Sequence, residues 1–360
     1  MSATVMITTG GTGGHVFPGL AVAARLLAKG CEVFWLGTCD GIEARLVPEH
    51  GVDFEAIRFA GVRGKGVRRL LLGPFSLLVA FWQSLRVIRR RAPDVVLGFG
   101  GFASFPGALM GVARGRPLAI HDANAVAGLA NRILAYGADR ILLGFPDALR
   151  GKHASRVEWV GNPLRDEIVA VARPEERFRG RSGPLKLLVL GGSLGAVALN
   201  ERVPAAIALL APSQRPQVTH QAGDAHVAAL RRAYAEAGAA AECVPFIADM
   251  ASRYAEADLV ICRGGALTVA EIAAVGVASL IVPLPGAIAD EQTHNARFLV
   301  DVGAASLVPQ TELTPQLIAD MLAGYDREGL LAMAVAARSV ARTDATERVA
   351  TACIELAQSR

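Results

Sequence analysis

The residues with the clearest chemical potential form a glycine-rich loop near the amino terminus, Gly10-Gly11-Thr12-Gly13-Gly14-His15. The apolar run Val5-Met6-Ile7 precedes this loop, and a helical pattern from Pro18 to Lys29 follows it. A strand, a tight turn and a helix in this order direct unpaired backbone N–H groups and the positive end of a helix dipole at one point, which favours a phosphate. A phosphate site has no need of an imidazole, whereas proton transfer beside a phosphate does. The sequence therefore predicts a reaction centre here, in which His15 is the candidate general base or only orients the group that reacts.

Two other loops repeat this arrangement of strand, glycine turn and helix. They are Gly98-Phe99-Gly100-Gly101-Phe102 and Gly191-Gly192-Ser193-Leu194-Gly195-Ala196. The Gly98 loop, taken alone, could equally consist of tight turns that bind no ligand. The first loop and the Gly191 loop lack the G-x-G-x-x-G spacing of a redox dinucleotide site, because the third glycine counted from Gly11 would fall on Val16. The G-x-x-x-x-G-K-[ST] pattern of an ATP-binding P-loop is missing as well. We therefore expect phosphate binding without hydride transfer or ATP hydrolysis.

A further turn, Cys262-Arg263-Gly264-Gly265, leads from a strand into a helix that carries Glu271 about one and a half turns in. A carboxylate at this place can accept both hydroxyls of a ribose while the N–H groups of the turn face phosphate. A helix-borne Glu can equally be a solvated charge, and the pattern alone leaves both readings open. The amide and hydroxyl side chains of residues 290–295 and of His121-Asp122-Ala123-Asn124 follow strand ends and suit the recognition of a sugar.

The elements around these loops must position them. Short apolar runs alternate with helical patterns over residues 4–145, which is typical of a parallel sheet with helices on both faces. The plan restarts at Lys186, so the sequence predicts an α/β protein with two tandem Rossmann-like, doubly wound domains. We expect them to span residues 1–163 and 164–342, with a last helix of about 343–360 packing back on the first. The predicted strands are Val5–Thr8, Glu32–Gly37, Asp53–Arg58, Asp94–Gly98, Pro117–His121, Arg140–Leu143, Lys186–Leu190, Gln217–His220, Glu242–Phe246, Leu259–Cys262 and Ser279–Pro283.

The composition narrows the class of protein. With 360 residues, of which 52% are hydrophobic and 19% charged, the chain is long enough for two domains with substantial cores. A net charge of +4 is too small for a nucleic-acid partner. The five cysteines are scattered without C-x-x-C spacing, which suits a reducing cytosol and argues against a zinc site. The amino terminus does not resemble a signal peptide, so we expect the chain to stay in the cytoplasm.

The segment Arg68 to Arg91 departs from this rhythm because it is apolar nearly all round and is flanked by arginines. The residues Phe75, Leu78, Val79 and Trp82 would share one helix face. They could pack in the core and against another subunit, or they could dip into a membrane surface whose anionic lipids attract the arginines. The apolar part is interrupted by Gly73-Pro74 and is too short to span a bilayer.

Taken together, five motifs resemble the MurG family of bacterial N-acetylglucosaminyltransferases, which make the second lipid intermediate of peptidoglycan. They occur in order as Gly10–His15 with Phe17-Pro18, Gly161-Asn162-Pro163-Leu164-Arg165, Gly191-Gly192-Ser193, Cys262–Thr268, and Asp290-x-Gln292-x-x-Asn295-Ala296. The resemblance implies a B-type glycosyltransferase fold with a cleft between its two domains. It implies inverting transfer from UDP-GlcNAc to the C4 hydroxyl of MurNAc in undecaprenyl-diphospho-MurNAc-pentapeptide (lipid I), giving lipid II. It also implies a peripheral protein on the cytoplasmic face of the inner membrane, active in cell-wall synthesis, cell shape and division, with no cofactor or metal.

The same resemblance implies roles for individual residues. Glu271 would bind the ribose, Ser193 and Arg165 would lie near the diphosphate, and the backbone of Ile247 would face the uracil edge. Gln292 and Asn124 would address the GlcNAc hydroxyls. The remaining substrate-binding residues that it implies are Ala266, Leu267, Thr268, Val269 and Ala270 along the nucleotide, and Thr12, Gly13 and Gly14 from the first domain. The segment Arg68 to Arg91 matches the family's membrane-association region.

Three other functions are compatible with parts of this pattern. A related transferase could use a UDP-sugar on another lipid, such as diacylglycerol. A UDP-GlcNAc 2-epimerase of the same fold would need no acceptor and would give the Arg68 to Arg91 segment no role. A non-catalytic membrane scaffold would leave His15, Arg165 and Glu271 without a function.

Overall fold

The computed structural model describes residues 2–11, 13–59, 66–149, 154–192 and 195–359, and it describes the backbone alone for residues 66–73 and 288. The chain divides into two compact units, one formed by Met1–Arg165 with Arg342–Arg360 and the other by Asp166–Ala341. Each unit contains one parallel sheet, with the strand orders β3-β2-β1-β4-β5-β6-β7 and β10-β9-β8-β11-β12-β13. The prediction of two tandem Rossmann-like α/β domains is therefore confirmed.

The first unit contains a sheet with helices on both faces. Its strands are β1 (Thr4–Thr8), β2 (Glu32–Thr38), β3 (Asp53–Ile57), β4 (Val95–Gly98), β5 (Leu118–Asp122), β6 (Arg140–Leu143) and β7 (Val157–Trp159). Its helices are α1 (Gly13–Ala28), α2 (Glu43–Glu49), α3 (Gly66–Arg91), α4 (Ser104–Ala113), α5 (Leu129–Leu134) and α15 (Ala345–Gln358).

The strand residues of this unit explain its two helical layers. Val5 and Ile7 pack in the core that holds α1 and α15, whereas Met6, between them, packs in the core that holds α3, α4 and α5. This alternation follows from the two-residue period of a strand. Both faces of β1 are therefore buried, as its continuous apolar sequence indicates.

The second unit repeats the plan. Its strands are β8 (Lys186–Leu190), β9 (Gln217–Gln221), β10 (Ala241–Val244), β11 (Leu259–Cys262), β12 (Ala278–Ile281) and β13 (Ala305–Leu307). Its helices are α6 (Asp166–Val169), α7 (Pro174–Arg177), α8 (Val197–Leu209), α9 (Val227–Glu236), α10 (Met250–Glu256), α11 (Ala266–Val275), α12 (Glu291–Val300), α13 (Pro315–Gly324) and α14 (Arg327–Ser339). In both units the loops singled out in the sequence follow the carboxyl ends of strands, where parallel sheets bind ligands.

Candidate active site

The loop after β1 leads directly into α1. This helix begins at Gly13, so the N–H groups of Gly13, Gly14 and His15 belong to its first turn, where they have no partner within the helix. Gly11 has a φ of 109°, a conformation that favours glycine. Thr12, predicted to bind substrate, lies outside the described residues. The predicted order of strand, glycine turn and helix is therefore confirmed. The positive end of the dipole of this 16-residue helix lies at the loop.

The second glycine loop of this unit packs against the first. The hydroxyl of Thr9 donates a hydrogen bond to the Gly100 carbonyl oxygen at 3.1 Å. A Cβ atom placed on Gly101 would lie 2.5 Å from the Gly10 carbonyl oxygen, so only glycine allows this approach. The loops after β1 and β4 thus form one continuous surface at the carboxyl edge of the sheet.

A buried carboxylate, Glu43, forms hydrogen bonds with this loop. It accepts hydrogen bonds from the backbone N–H and the hydroxyl of Thr38, at 3.0 and 2.6 Å, and from the Gly11 N–H at 3.4 Å. A Cβ atom on Gly10 would lie 2.2 Å from its Oε1 atom. The sequence analysis missed Glu43, because nothing near residue 43 indicates that its side chain reaches back to the first loop.

His15 lies on the first turn of α1 with the charge of Asp122 nearby. Burial of the imidazole lowers its pKa, while the Asp122 charge and a hydrogen bond with the Phe99 carbonyl oxygen offset part of that shift. The Nδ1 atom is buried and has no hydrogen-bond partner within the described part of the chain. The ring is therefore neutral near pH 7, and its burial is the main cause.

Asp122, at the end of β5, is held by three donors. Asn131 Nδ2 and the Gly128 N–H donate to its Oδ2 atom, each at 3.0 Å, and the Asn124 N–H donates to its Oδ1 atom at 3.2 Å. Burial raises the pKa of this carboxyl, and the hydrogen bonds and the nearby His15 act against that rise. Asp122 was noted only as part of a polar strand end, although it is the acidic group that acts on the candidate base.

Two more sequence-selected residues belong to this unit. The half-buried Asn124 follows Asp122. The Arg165 guanidinium carbon lies 6.0 Å from the centre of the Phe17 ring on α1, so this cation stands beside the glycine-loop helix. His15, Asp122, Asn124 and Arg165 therefore all belong to the unit that carries the predicted reaction centre.

In the second unit, Glu271 is buried on α11, which excludes the reading of a solvated surface charge. The hydroxyl of Tyr254 donates a hydrogen bond to its Oε2 atom at 3.1 Å. Of the neighbouring predicted residues, Ala266 and Val269 are buried, whereas Leu267, Thr268 and Ala270 are partly exposed. Helix α11 begins at Ala266, directly after Gly264-Gly265. The N–H groups of its first turn therefore lie at this loop and have no partner within the helix.

The loop before α12 meets the same turn. Gln292 Oε1 accepts a hydrogen bond from the Leu284 N–H at 2.9 Å, and Asn295 Nδ2 donates to the Gly264 carbonyl oxygen at 3.1 Å. A Cβ atom on Gly264 would lie 2.3 Å from the Gln292 carbonyl oxygen. The structure thus brings Gln292 to the glycine turn that precedes the Glu271 helix.

Two predicted residues complete the account of this unit. Ile247 is buried in the loop after β10, and the neighbouring Phe246 exposes its ring. Ser193 lies outside the described residues. Helix α8 begins shortly after that position, at Val197, and Gln221 Nε2 donates to the Gly192 carbonyl oxygen at 2.9 Å. Sequence reasoning missed Tyr254 and Phe246, which have no motif and are found only through their contacts or exposure.

Comparison with known proteins agrees with this arrangement. Residues 5–143 match the glycosyltransferase family 28 N-terminal domain, and residues 186–349 match the glycosyltransferase family 28 C-terminal domain. A relative from Dechloromonas aromatica (strain RCB) is 56% identical over 358 residues, covering 99% of this chain and 100% of its own length. It is named UDP-N-acetylglucosamine--N-acetylmuramyl-(pentapeptide) pyrophosphoryl-undecaprenol N-acetylglucosamine transferase.

Solved structures show the same relationship. The crystal structure of Acinetobacter baumannii MurG is 40% identical, with a TM-score of 0.85 and coverage of 98% of this chain and 99% of that one. A UDP-N-acetylglucosamine 2-epimerase is only 14% identical, with a TM-score of 0.65 and coverage of 97% and 95%, so that likeness shows the fold alone. The chain therefore belongs to glycosyltransferase family 28, with the B-type glycosyltransferase fold, and within that family to the MurG group of N-acetylglucosamine transferases.

Proposed function

We propose that this chain transfers GlcNAc from UDP-GlcNAc to the C4 hydroxyl of MurNAc in undecaprenyl-diphospho-MurNAc-pentapeptide (lipid I), giving lipid II for peptidoglycan synthesis. The observation that carries the proposal is His15, a neutral imidazole on the first turn of α1 with the Asp122 carboxylate acting on it. The family membership adds the donor and acceptor, since the relatives are named for this transfer. A group that accepts a proton beside an anion-binding turn is what such a transfer requires.

The reaction is a single displacement with inversion. The C4 hydroxyl of the acceptor gives its proton to the imidazole of His15 as its oxygen forms a bond to the anomeric carbon of GlcNAc. The bond from that carbon to the β-phosphate oxygen breaks, and UDP leaves with the electron pair. Asp122 then stabilises the imidazolium through its charge, as the Asp of a hydrolase triad does.

The second unit is assigned to the donor. Glu271, positioned by Tyr254, accepts the ribose hydroxyls, and the backbone of Ile247 binds the uracil edge, where the exposed Phe246 ring can contact the base. Gln292 binds GlcNAc hydroxyls. The other nucleotide-lining residues in this proposal are Ala266, Leu267, Thr268, Val269 and Ala270, of which Ala266 and Val269 are buried.

The negative charge of the two diphosphates needs cations and N–H groups. Arg165 and the amino terminus of α8 behind Ser193 are assigned to the diphosphate of UDP, whose charge grows as it leaves. Thr12, Gly13 and Gly14 complete the donor site from the first unit, and Asn124 addresses a GlcNAc hydroxyl. The loops of that unit also hold the acceptor diphosphate.

Lipid I resides in a membrane, and α3 supplies a means of reaching it. Phe75, Leu78 and Trp82 are exposed on this helix, and Val79 beside them is half-buried. The Arg86 guanidinium lies 5.8 Å from the centre of the Trp82 ring, so a positive charge lies next to the exposed apolar side chains of α3. Within the described residues no helix is long and apolar enough to cross a bilayer. From the exposed apolar side chains and the arginine of α3, and from the membrane location of lipid I, we propose peripheral association with anionic lipids on the cytoplasmic face of the inner membrane.

The first experiment measures transfer of radiolabelled GlcNAc from UDP-GlcNAc to a short-chain lipid I analogue. UDP-GalNAc, an acceptor-free sample and a diacylglycerol competitor serve as controls. We expect label in the lipid fraction only with UDP-GlcNAc and lipid I together. Formation of UDP-ManNAc without acceptor would instead identify an epimerase, and preferential labelling of diacylglycerol would identify another lipid as the acceptor.

The second experiment tests the base. His15→Ala should lower kcat at saturating substrates by about 10²- to 10⁴-fold, the contribution of a positioned general base. His50→Ala is the matched control, because His50 is exposed at the end of α2 in the same unit. Turnover of His15→Ala within a few fold of wild type would exclude His15 as the base.

A further inference from the structure

Glu43 is a buried carboxylate to which the proposed function gives no role. It is the first residue of α2, and its side chain has no exposed surface. Glutamates are almost never fully buried unless their charge is paired or hydrogen-bonded. Three glycines make room for it: a Cβ atom on Gly10 or Gly41 would overlap its carboxylate oxygens, and one on Gly37 would lie 2.8 Å from its Cγ atom. The first unit therefore contains a cavity shaped for this side chain.

The two carboxylate oxygens of Glu43 bind different parts of the unit. Oε1 accepts hydrogen bonds from the backbone N–H and the hydroxyl of Thr38, at 3.0 and 2.6 Å. Oε2 accepts a hydrogen bond from the Gly11 N–H at 3.4 Å. One oxygen thus anchors the side chain to the last residue of β2, and the other holds the loop that leads from β1 into α1.

The contact with Gly11 selects one orientation of the Gly10–Gly11 peptide. A trans peptide is planar, and its N–H and C=O groups point in opposite directions. The Gly11 N–H points at Glu43, and the Gly10 carbonyl oxygen meets the loop after β4, where a Cβ atom on Gly101 would lie 2.5 Å from it. A flipped peptide would direct the Gly10 carbonyl oxygen at the carboxylate, and two acceptors repel because neither has a proton to donate.

The other hydrogen bonds described for this loop act one peptide earlier. Trp35 Nε1 donates to the Thr9 carbonyl oxygen at 3.2 Å, and the Thr9 hydroxyl donates to the Gly100 carbonyl oxygen at 3.1 Å. Gly11 has a φ of 109°, and glycine adopts positive and negative φ values about equally readily. The backbone itself therefore has little preference, and the hydrogen bond to Glu43 supplies it.

We propose that Glu43 is a positioning residue for the transfer reaction, because its carboxylate holds the Gly10–Gly11 peptide in the orientation that places the first turn of α1 and His15 against the substrates. Helix α1 begins two residues after Gly11, so rotation of this peptide displaces the start of the helix. Glu43 is buried and acts through Gly11, without touching substrate. The inference rests on the proposed function and adds a residue to it.

Glu43→Gln separates the two contacts of this side chain. Glutamine keeps one carbonyl oxygen for the two donors of Thr38, but it places an amide NH₂ group opposite the Gly11 N–H. The flipped peptide then becomes favoured, because its carbonyl oxygen can accept from this amide. We expect kcat for transfer to a short-chain lipid I analogue to fall by about 10- to 100-fold, the cost of a small misplacement of reacting groups. The KM for UDP-GlcNAc should stay within about twofold, because the second unit supplies most of the donor site.

Thr38→Val is the matched control, because it removes the 2.6 Å hydrogen bond to Glu43 but leaves the Gly11 contact in place. Urea unfolding should show that both variants lose stability, whereas kcat of Thr38→Val should stay within about twofold of wild type. Hydrogen exchange without substrate gives a second measurement. Deuterium uptake in a peptide that contains Gly10 and Gly11 should rise in Glu43→Gln and remain at the wild-type level in Thr38→Val.

Each result supports or overturns the inference. Equal falls of kcat in Glu43→Gln and Thr38→Val would show that the carboxylate serves the fold alone. Wild-type exchange or wild-type kcat in Glu43→Gln would show that the contact does not set the peptide or that its orientation does not matter. If Glu43→Gln does not fold, Gly101→Ala displaces the Gly10 carbonyl oxygen from the other side and should lower kcat alike, and wild-type turnover would overturn the inference. Absence of transfer by wild type would refute the proposed function, whereas the exchange experiment needs no substrate and tests the Glu43 contact separately.

Discussion

The burial of His121 predicts how the stability of the first unit depends on pH. The ring is fully buried, its centre lies 5.3 Å from that of Phe99, and its Nε2 atom is 3.0 Å from the Gly161 carbonyl oxygen. Burial, and to a smaller extent the neighbouring His15, lowers its pKa from 6.5 to about 4. The unfolded chain binds more protons than the folded unit between these values. Stability is therefore full above pH 6.5 and is lost as the pH falls towards 4.

The magnitude follows from the displacement of this pKa. A change from 6.5 to about 4 corresponds to about 3 kcal/mol of unfolding free energy, at about 1.4 kcal/mol per pKa unit. Because the linkage accumulates gradually, about 2 kcal/mol of it is lost between pH 8 and pH 5. This is a large fraction of the stability of a domain, which is typically about 5–15 kcal/mol.

His121→Gln isolates this contribution, because Gln keeps an amide donor near the Gly161 carbonyl oxygen but does not titrate. Urea unfolding at pH 8 and pH 5, followed by tryptophan fluorescence, measures it in the correct unit, since all three tryptophans, Trp35, Trp82 and Trp159, belong to the first unit. We expect wild type to lose about 2 kcal/mol more than the variant between these pH values. The difference between the two proteins removes titrations that they share.

A control in the other unit tests the assignment. His220 is also buried, between Tyr234 and Asn200, and burial lowers its pKa to about 3. His220→Gln should leave the pH dependence of the tryptophan signal as it is in wild type, because this ring belongs to the second unit. Equal losses of stability in wild type and His121→Gln would refute the reasoning, since His121 would then titrate alike in the folded and unfolded states.

Two further predictions concern the reaction. Asp122→Asn removes the charge that raises the pKa of His15, so the acidic limb of the pH profile of kcat/KM should move to lower pH. The kcat should also fall by about tenfold or more. A pH profile identical to that of wild type would show that the Asp122 charge does not act on His15. Glu271→Ala should raise the KM for UDP-GlcNAc by about tenfold or more, because a buried charged hydrogen-bonding group is lost from the ribose. An unchanged donor KM in steady-state assays would remove Glu271 from the ribose site.

The strands with continuous apolar sequence could be predicted because burial on both faces leaves a local signal. The predicted strand ends were wrong where strand pairing determines them. The strand predicted at Glu242–Phe246 spans Ala241–Val244 in the structure, because Val244 pairs with Gln221, the last residue of β9. The strands β7 and β13 were missed. Each has only three residues at a sheet edge, and three residues are too few to give an apolar run that can be detected.

In the candidate site, too, features with a local sequence signal could be predicted and contacts between distant residues could not. The glycine loops were found because a turn between a strand and a helix needs glycine locally. The effect of the Asp122 charge on His15 and the hydrogen bond from Gly11 to Glu43 could not be predicted, because each joins residues that are distant in sequence and come together only when the sheet has formed. The burial of Glu271 was undecided for the same reason, since its partner Tyr254 lies on another helix.

Helix α3 shows why an apolar pattern alone did not reveal which face is buried. Phe75, Leu78 and Trp82 have the spacing of a core face, yet the residues that are fully buried in this stretch are Ala80 and Ser84. Small side chains allow α3 to approach α4 closely. The hydrophobic effect within the unit alone would instead favour burial of the larger residues. Over residues 75–84 this helix therefore buries small side chains and exposes large ones, whereas Val87 and Ile88 near its end are buried in the core. That inversion over residues 75–84 supports the proposal that this face of the first unit contacts a membrane.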